Sequence, residues 1–235
     1  WRMLSADPPI TVGWADNTIA TAARPGDPPA AIWPLEGDGV PDTIRAVDAN
    51  EAGIAVVFRR KGEIFAGMVG RDRTPRGGLV KIAGAGAPAG SPVGAPAIAL
   101  SGSTIAVAFA DRASPQDPWA VRIGTAPLGS FPKDTSGFVL PPGGPGGAAI
   151  APALAGISDG RWLLVWTEGS GGEHVVRAQT VDDAFKPVGA PFALSHEGGN
   201  AGQGAVALRN GQGLAAYLAL TDHGYELWGA PIDCR

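Results

Sequence analysis

Residues 151–166 read APALAGISDGRWLLVW, and this stretch decides the fold that we predict for the chain. It contains a short apolar segment, a turn at residues 158–160, and a second apolar segment that ends in Trp166. Two apolar segments around a Gly-containing turn are typical of a β-hairpin. Similar phrases occur at 42–58, 95–109 and 204–217. The chain therefore repeats one kind of hairpin.

Each phrase closes with a large aromatic residue, and we call these residues the closing aromatics: Phe58, Phe109, Trp166 and Tyr217. They are 51, 57 and 51 positions apart, and Trp14 in the phrase VGWAD (12–16) joins them as a fifth member. Self-similarity at a fixed period of this length indicates a repeat architecture in which each unit is one supersecondary element.

The segments between the closing aromatics predict four kinds of strand per unit, which we label A to D, with the closing aromatic at the end of strand B. Gly, Pro, Asp and Asn cluster between the apolar segments, as turn residues do in all-β proteins. No segment carries a sustained helical period. Four-stranded antiparallel units of about 50 residues match the blades of a β-propeller. We therefore predict an all-β chain in which residues 1–235 form a single β-propeller domain.

The two ends of the chain suggest how the ring closes. Residues 10–15 are the first predicted B strand and residues 225–231 the last predicted C strand. We expect five blades, closed by the N-terminal stretch completing a blade with the C-terminal strands, because closure removes exposed sheet edges. The alternative is that this chain forms part of a larger propeller that another chain completes.

Composition excludes some partners. The net charge of −4 gives no basis for binding nucleic acid or an anionic membrane. No apolar run reaches 18 residues, so we predict no membrane span. A low Lys count with many Ala, Gly and Pro suggests a GC-rich bacterial source. The start at Trp1 suggests a processed or truncated chain. We expect an extracellular, periplasmic or cell-surface location.

The single cysteine, Cys234, excludes an internal disulfide. It is either an unpaired thiol or a link to a second chain.

Acidic residues follow four of the five closing aromatics, and they are the first candidate ligand-binding residues. We predict that Asp16, Asp111, Glu168 and Asp222 ring one mouth of the propeller channel, where they could bind Ca²⁺ or sugar hydroxyls. Turns also favour Asp because its side chain accepts local backbone hydrogen bonds, so a purely structural role remains the alternative.

Two tryptophans are the second set of candidate ligand-binding residues. Trp119 and Trp228 lie on predicted outer C strands, where an aromatic face can stack on a sugar ring. The alternative is that they fill the wedge between adjacent blades.

Residues 158–162, Ser-Asp-Gly-Arg-Trp, approximate the Asp-box of sialidase-type blades, with one residue fewer between Asp and Gly. Together with the repeat period and the strand order, this sequence resembles bacterial β-propellers of the sialidase-like or Kelch-like kind. The resemblance covers nearly the whole chain.

Sialidase-like hydrolysis would require an arginine cluster, a Tyr nucleophile and an acid/base carboxylate. The arginines here are scattered on C strands and turns, without repeat-to-repeat placement that would converge them, and Tyr217 is a closing aromatic. The three histidines lack zinc-ligand spacing. We therefore assign no catalytic or metal-binding residue and expect no cofactor other than a possible Ca²⁺.

Long polar loops and the absence of a catalytic motif favour a non-catalytic scaffold that binds a protein or a glycan through its loop-rich face. A glycan-binding lectin or a glycan-active hydrolase is the first alternative. A structural subunit of a larger assembly, cross-linked through Cys234, is the second.

Overall fold

The computed structural model describes residues 2–4, 10–15, 18–22, 27–28, 30–34, 43–51, 53–60, 63–84, 96–102, 104–112, 115–127, 147–157, 160–184 and 186–234. These residues form five separate antiparallel sheets, and in each sheet the strands lie side by side in chain order. None of the described residues belongs to a helix, so none forms a helix long and apolar enough to cross a membrane.

The strands of the first two sheets are β1 (Arg2–Leu4), β2 (Ile10–Ala15), β3 (Thr18–Ala22) and β4 (Ala30–Pro34), then β5 (Thr43–Asn50), β6 (Gly53–Arg60), β7 (Glu63–Val69) and β8 (Val80–Gly84). The third sheet has β9 (Ala97–Ser101), β10 (Thr104–Asp111) and β11 (Ala120–Pro127). The fourth and fifth sheets have β12 (Ala148–Gly156), β13 (Trp162–Ser170), β14 (Glu173–Val181) and β15 (Pro187–Ala193), then β16 (Ala201–Arg209), β17 (Gln212–Thr221) and β18 (Gly224–Asp233).

Consecutive sheets contact each other through their first strands, β1 with β5, β5 with β9, β9 with β12, and β12 with β16. Short antiparallel sheets whose first strands line up in this way form the blades of a β-propeller. The predicted all-β propeller is confirmed. A fourth strand predicted for the third sheet, at residues 137–140, lies outside the described residues.

The N-terminal strand does not take the place that the sequence suggested. β1 pairs with β2 of the first sheet, with Arg2 opposite Val12 and Leu4 opposite Ile10. The expectation that the N-terminal stretch completes the last blade is therefore wrong for residues 2–4. The physical reason is loop closure. A hairpin through the short segment 5–9 costs less chain entropy than pairing with a strand some two hundred residues away.

Turn residues fix the hairpins of the repeat. Asn210 and Gly211 both have positive φ (53° and 76°) between β16 and β17, as a two-residue type I′ turn requires. Gly171 and Gly172 (66° and 94°) do the same between β13 and β14. These turns set the register that puts each closing aromatic on a chosen face of its sheet.

The core lies between the sheets. We call the face of a sheet toward the next sheet in chain order its forward face, and the opposite one its rear face. The closing aromatics Phe109, Trp166 and Tyr217 are on rear faces and are buried. Trp166 packs with Ala106 and Ala108 on the forward face of the third sheet. At this contact the large indole on the rear face of the fourth sheet fills the space that small residues of the third sheet leave, as close packing requires.

Candidate functional site

Two of the predicted carboxylates occupy equivalent positions, each two residues after a closing aromatic. Asp111 ends β10, and its Oδ2 lies 2.9 Å from Nε of Arg122 on β11. Glu168 lies on β13, and its Oε1 lies 3.2 Å from Nε of Arg177 on β14. Each arginine is directly opposite the closing aromatic of its own sheet. A carboxylate–arginine pair therefore recurs at one place in the repeat.

The arginines were missed in the sequence because their placement shows only in the strand register. Arg122 and Arg177 occupy equivalent positions in their two sheets. Each one binds a carboxylate of its own sheet, so the two do not converge on a shared substrate carboxylate.

Glu168 is the most deeply buried of the predicted ligand-binding residues, with its side chain 2% exposed. Its second oxygen, Oε2, accepts a hydrogen bond of 3.2 Å from Nε1 of Trp166. Arg177 also bonds Glu197, so it connects the buried carboxylate to the surface. A buried charge is tolerated only when it is paired and hydrogen-bonded, and these contacts from Trp166 and Arg177 meet that requirement for the Glu168 carboxylate.

The other two predicted carboxylates are placed differently. Asp222 is exposed in the turn between β17 and β18, and the position equivalent to Glu168 in that sheet is Ala219. Asp16 lies outside the described residues. Among the residues that the structure describes, no three His, Cys, Asp or Glu side chains come together as cation ligands. A complete acidic ring with Ca²⁺ therefore stays a prediction.

Trp119 lies just before β11 and is half-buried. The guanidinium carbon of Arg112 is 4.5 Å from the centroid of its ring, which is a cation–π contact. The backbone carbonyl of Trp119 accepts a hydrogen bond of 2.7 Å from the backbone N–H of Ala149 at the start of the fourth sheet. One face of this ring is therefore already occupied, and its backbone joins two blades.

Trp228 has the surroundings of a binding residue. It lies on β18 opposite Tyr217, which places it on the rear face of the fifth sheet, toward the fourth, where it is 50% exposed. Phe192 and Val188 on β15 are each 44% exposed and lie on the forward face of the fourth sheet, since Phe192 pairs with buried Ala178. The two sheets thus present exposed apolar side chains to each other.

Register puts these side chains at nearly the same height. Trp228 corresponds to Arg177 of the fourth sheet, because both lie opposite the closing aromatic, and Phe192 pairs with the next residue, Ala178. Glu226 is two residues from Trp228 on the same face and is half-buried. We use the name outer groove for the space between these two faces, which Val188 and Phe192 of the fourth sheet and Glu226 and Trp228 of the fifth face by register.

Phe192 and Glu226 were missed in the sequence analysis. The signal for Glu226 was its two-residue spacing from Trp228 on one strand, which puts both on one face. Nothing comparable marks Phe192, because its face depends on an irregularity in the pairing of β14 with β15.

Asp48 joins the inner strands of the second and third sheets. Its Oδ2 accepts a hydrogen bond of 2.7 Å from the backbone N–H of Leu100 on β9, and its Oδ1 accepts one from Ala49. Burial raises the pKa of this carboxyl, although both hydrogen bonds act to lower it. The Asp48 side chain therefore links the second and third sheets by a hydrogen bond to the backbone of β9.

The raised pKa of Asp48 predicts the sign of a pH effect. The folded protein holds this proton more tightly than the unfolded chain, whose Asp pKa is about 3.9. The stabilisation is therefore fully present below that pH and is lost as the pH rises through the folded-state pKa. We expect the free energy of unfolding of the wild type, relative to Asp48→Asn, to fall as the pH rises through this range in urea titrations. Asp48→Asn also loses a hydrogen bond, but the free energy lost with that bond does not depend on pH.

Asp72 provides a matched control with the opposite sign. Hydrogen bonds from Thr74 lower the pKa of the exposed Asp72 carboxyl. The wild type should therefore gain stability relative to Asp72→Asn as the pH rises from acid toward neutrality. If the free energies of unfolding of the wild type and of Asp48→Asn changed in parallel with pH, the raised pKa of the Asp48 carboxyl would be contradicted.

Cys234 is a free thiol that packs against the core between the fourth and fifth sheets. Burial, and to a lesser extent the charge of Asp233, raises the pKa of the thiol. A raised pKa lowers the thiolate fraction, which is the form that reacts. The predicted link to a second chain through Cys234 stays a prediction.

No protein-family model matches the sequence, and no curated protein has a detectable match. Solved structures do match the fold. A thermostable family-43 glycoside hydrolase gives a TM-score of 0.51 at 13% identity, over 79% of this chain and 67% of that one. An α-L-arabinofuranosidase from Lactobacillus brevis gives 0.52 at 12%, over 80% and 67%. A polysaccharide lyase gives 0.52 at 10%, over 83% of this chain and about half (53%) of its own.

At these identities the likeness concerns the fold. The part of the expected resemblance that concerns a propeller fold is confirmed.

Proposed function

We propose that this protein is a non-catalytic, glycan-binding β-propeller and that the outer groove holds the sugar. The observation that carries the proposal is the pair of half-exposed aromatic residues, Phe192 and Trp228, on facing sides of two adjacent blades at the same height. Aromatic faces in a concave, mostly apolar site, with a few polar groups to fix orientation, are typical of small-ligand sites.

The groove also supplies a polar group. Glu226 lies beside Trp228 and can accept hydrogen bonds from sugar hydroxyls, and a charged acceptor makes these bonds stronger. Val188 and Phe192 would contact the apolar edge of the ring. The names of the structural neighbours, an arabinofuranosidase and a polysaccharide lyase among them, support a glycan as the ligand.

The proposal is for binding because of how the carboxylates are placed. Glycoside hydrolysis uses two carboxylates that flank the scissile bond, one of them as a proton donor. Among its described residues the outer groove has one carboxylate, Glu226, whereas Asp111 and Glu168 are held by arginines within their own sheets. The proposal includes the extracytoplasmic location expected from the sequence, which suits a glycan ligand.

A glycan array that includes arabino-oligosaccharides, followed by calorimetric titration of the best hit, tests the proposal. We expect Trp228→Ala and Phe192→Ala each to weaken binding by about tenfold, the effect of losing about 1.4 kcal/mol. The control is Tyr225→Ala, which removes a more exposed aromatic from the opposite face of the same strand. Unchanged affinity in both groove variants would refute the site. Release of reducing sugar by the wild type would refute the non-catalytic assignment.

A further inference from the structure

The forward face of the fifth sheet is an exposed apolar surface. On β17 and β18 it carries five large apolar side chains, and the apolar residues that β16 adds are small. Leu218 is half-buried, and the other four are 47–75% exposed: Leu214, Leu220, Tyr225 and Leu227. Contiguous apolar surface of this kind marks an interaction site.

The same positions are buried in three other sheets. Leu227 is paired with the residue that follows the closing aromatic, and its equivalents are Ile64, Val121 and Val176. These three are at most 1% exposed, whereas Leu227 is 75% exposed. Leu214 likewise corresponds to Leu163, which is fully buried beneath the fifth sheet. The forward face of the fifth sheet thus has the composition of a blade-to-blade interface, and within the part of the chain that the structure describes no other sheet covers it.

Charged residues at one end of this face indicate what covers it. Arg209 of β16, Gln212 of β17 and Asp233 of β18 form one row across the sheet, by register, and all three are exposed on the forward face. The row is positive on the side of β16 and negative on the side of β18. Such a row is complementary to a copy of itself that has been turned over.

We propose that a second copy of this chain covers the face and that the two fifth sheets pack on each other about a two-fold axis parallel to β17. This rotation lays β16 of one copy over β18 of the other and keeps the same strand ends together. Sheets that pack face to face keep their strands within about 30° of each other, so this near-parallel arrangement is an ordinary packing geometry. Arg209 then faces the partner's Asp233, and the reverse contact follows from symmetry.

The size of the face sets the expected affinity. Three strands of nine or ten residues have a footprint of about 500 Å² per copy. This is at the low end for specific interfaces, which bury roughly 800 Å² per partner. We therefore expect a reversible dimer with a dissociation constant in the micromolar range. The surface lies on the opposite side of the fifth sheet from the outer groove, so the dimer does not depend on the proposed function.

Sedimentation equilibrium over the micromolar range is the test, and a concentration-dependent dimer is expected for the wild type. Leu227→Asp should weaken the dimer at least about thirtyfold, as loss of a central apolar contact does. Val188→Asp, which charges an exposed valine in the outer groove, should leave it unchanged. Because Leu227 is 75% exposed in one chain, circular dichroism should show that the variant is folded.

A charge exchange tests the symmetry independently. Arg209→Asp and Asp233→Arg should each raise the dissociation constant by about tenfold, and the double variant should return it to within about threefold of the wild type. A wild type that is monomeric throughout would overturn the proposal, and so would a double variant that is no better than the singles. A labelling experiment uses the double variant Leu227→Cys with Cys234→Ser, whose only thiol lies on this face. If the wild type is a monomer and this thiol does not react with maleimide, another part of the chain covers the face and the proposal is likewise overturned.

Discussion

Replacing Trp166 with alanine is expected to lower the free energy of unfolding by about 3–5 kcal/mol, the range for removing a buried aromatic side chain. Trp166 is 1% exposed and packs against Ala106 and Ala108 of the preceding blade. Alanines on that face cannot extend into the space that the indole leaves, so the cavity cannot collapse fully. The substitution also removes the hydrogen bond to Glu168. Guanidinium titration followed by far-ultraviolet circular dichroism measures the effect.

Trp228→Ala is the matched control for this loss. Trp228 carries the same side chain and sits at the interface of the next two blades, but half of it is exposed. Because it buries about half as much surface, we expect a loss of about 1 kcal/mol. Equal losses for the two variants would show that the closing aromatics do not hold the blades together.

Removing Arg177 should be nearly as damaging, at about 3 kcal/mol, because it leaves the carboxylate of Glu168 buried without its counter-charge. The Glu168 side chain is 2% exposed and that of Arg177 is 14% exposed, so little water can replace the guanidinium. Arg177→Ala should therefore unfold at a lower denaturant concentration. The double variant Arg177→Ala with Glu168→Gln should recover most of the loss, since the uncompensated charge is gone.

The exposed pair Arg76–Asp72 provides the comparison. Its side chains are 51% and 53% exposed, with Nη2 to Oδ2 at 3.2 Å. Arg76→Ala is expected to change the free energy of unfolding by less than about 1 kcal/mol, as for other surface ion pairs. If Arg177→Ala lowered the free energy of unfolding by no more than Arg76→Ala does, the Glu168–Arg177 pair would contribute no more to stability than an exposed ion pair.

Much of the fold was predictable because strands and turns are local. B strand 10–15 has the predicted bounds. The last C strand, predicted at 225–231, extends over Gly224–Asp233, because backbone pairing goes on past the apolar residues that define a strand in the sequence. The one clear error in the fold was the predicted pairing of residues 2–4 with the last blade. That prediction gave more weight to removing an exposed sheet edge than to the entropy cost of closing a long loop.

The candidate site was less predictable. Trp228 was selected correctly as an outer-strand residue beside another blade, but Phe192, its counterpart across the groove, could not be found from the sequence. Asp111 and Glu168 were identified as a repeated acidic position, but their arginines were not. The reason is that partners across strands are set by register and partners across blades by packing, and neither has a fixed sequence separation.

The sequence alone predicted an all-β chain of antiparallel strands joined by tight turns, because alternation of apolar residues and turn-forming Gly, Asn and Pro act over a few residues. Only the tertiary structure decided which acid is buried against an arginine, which tryptophan stays half-exposed between blades, and which face of the last sheet is open. Those features depend on how sheets that are distant in the chain pack on each other. The sequence does not specify this packing, because the hydrophobic effect that drives it has no preferred direction.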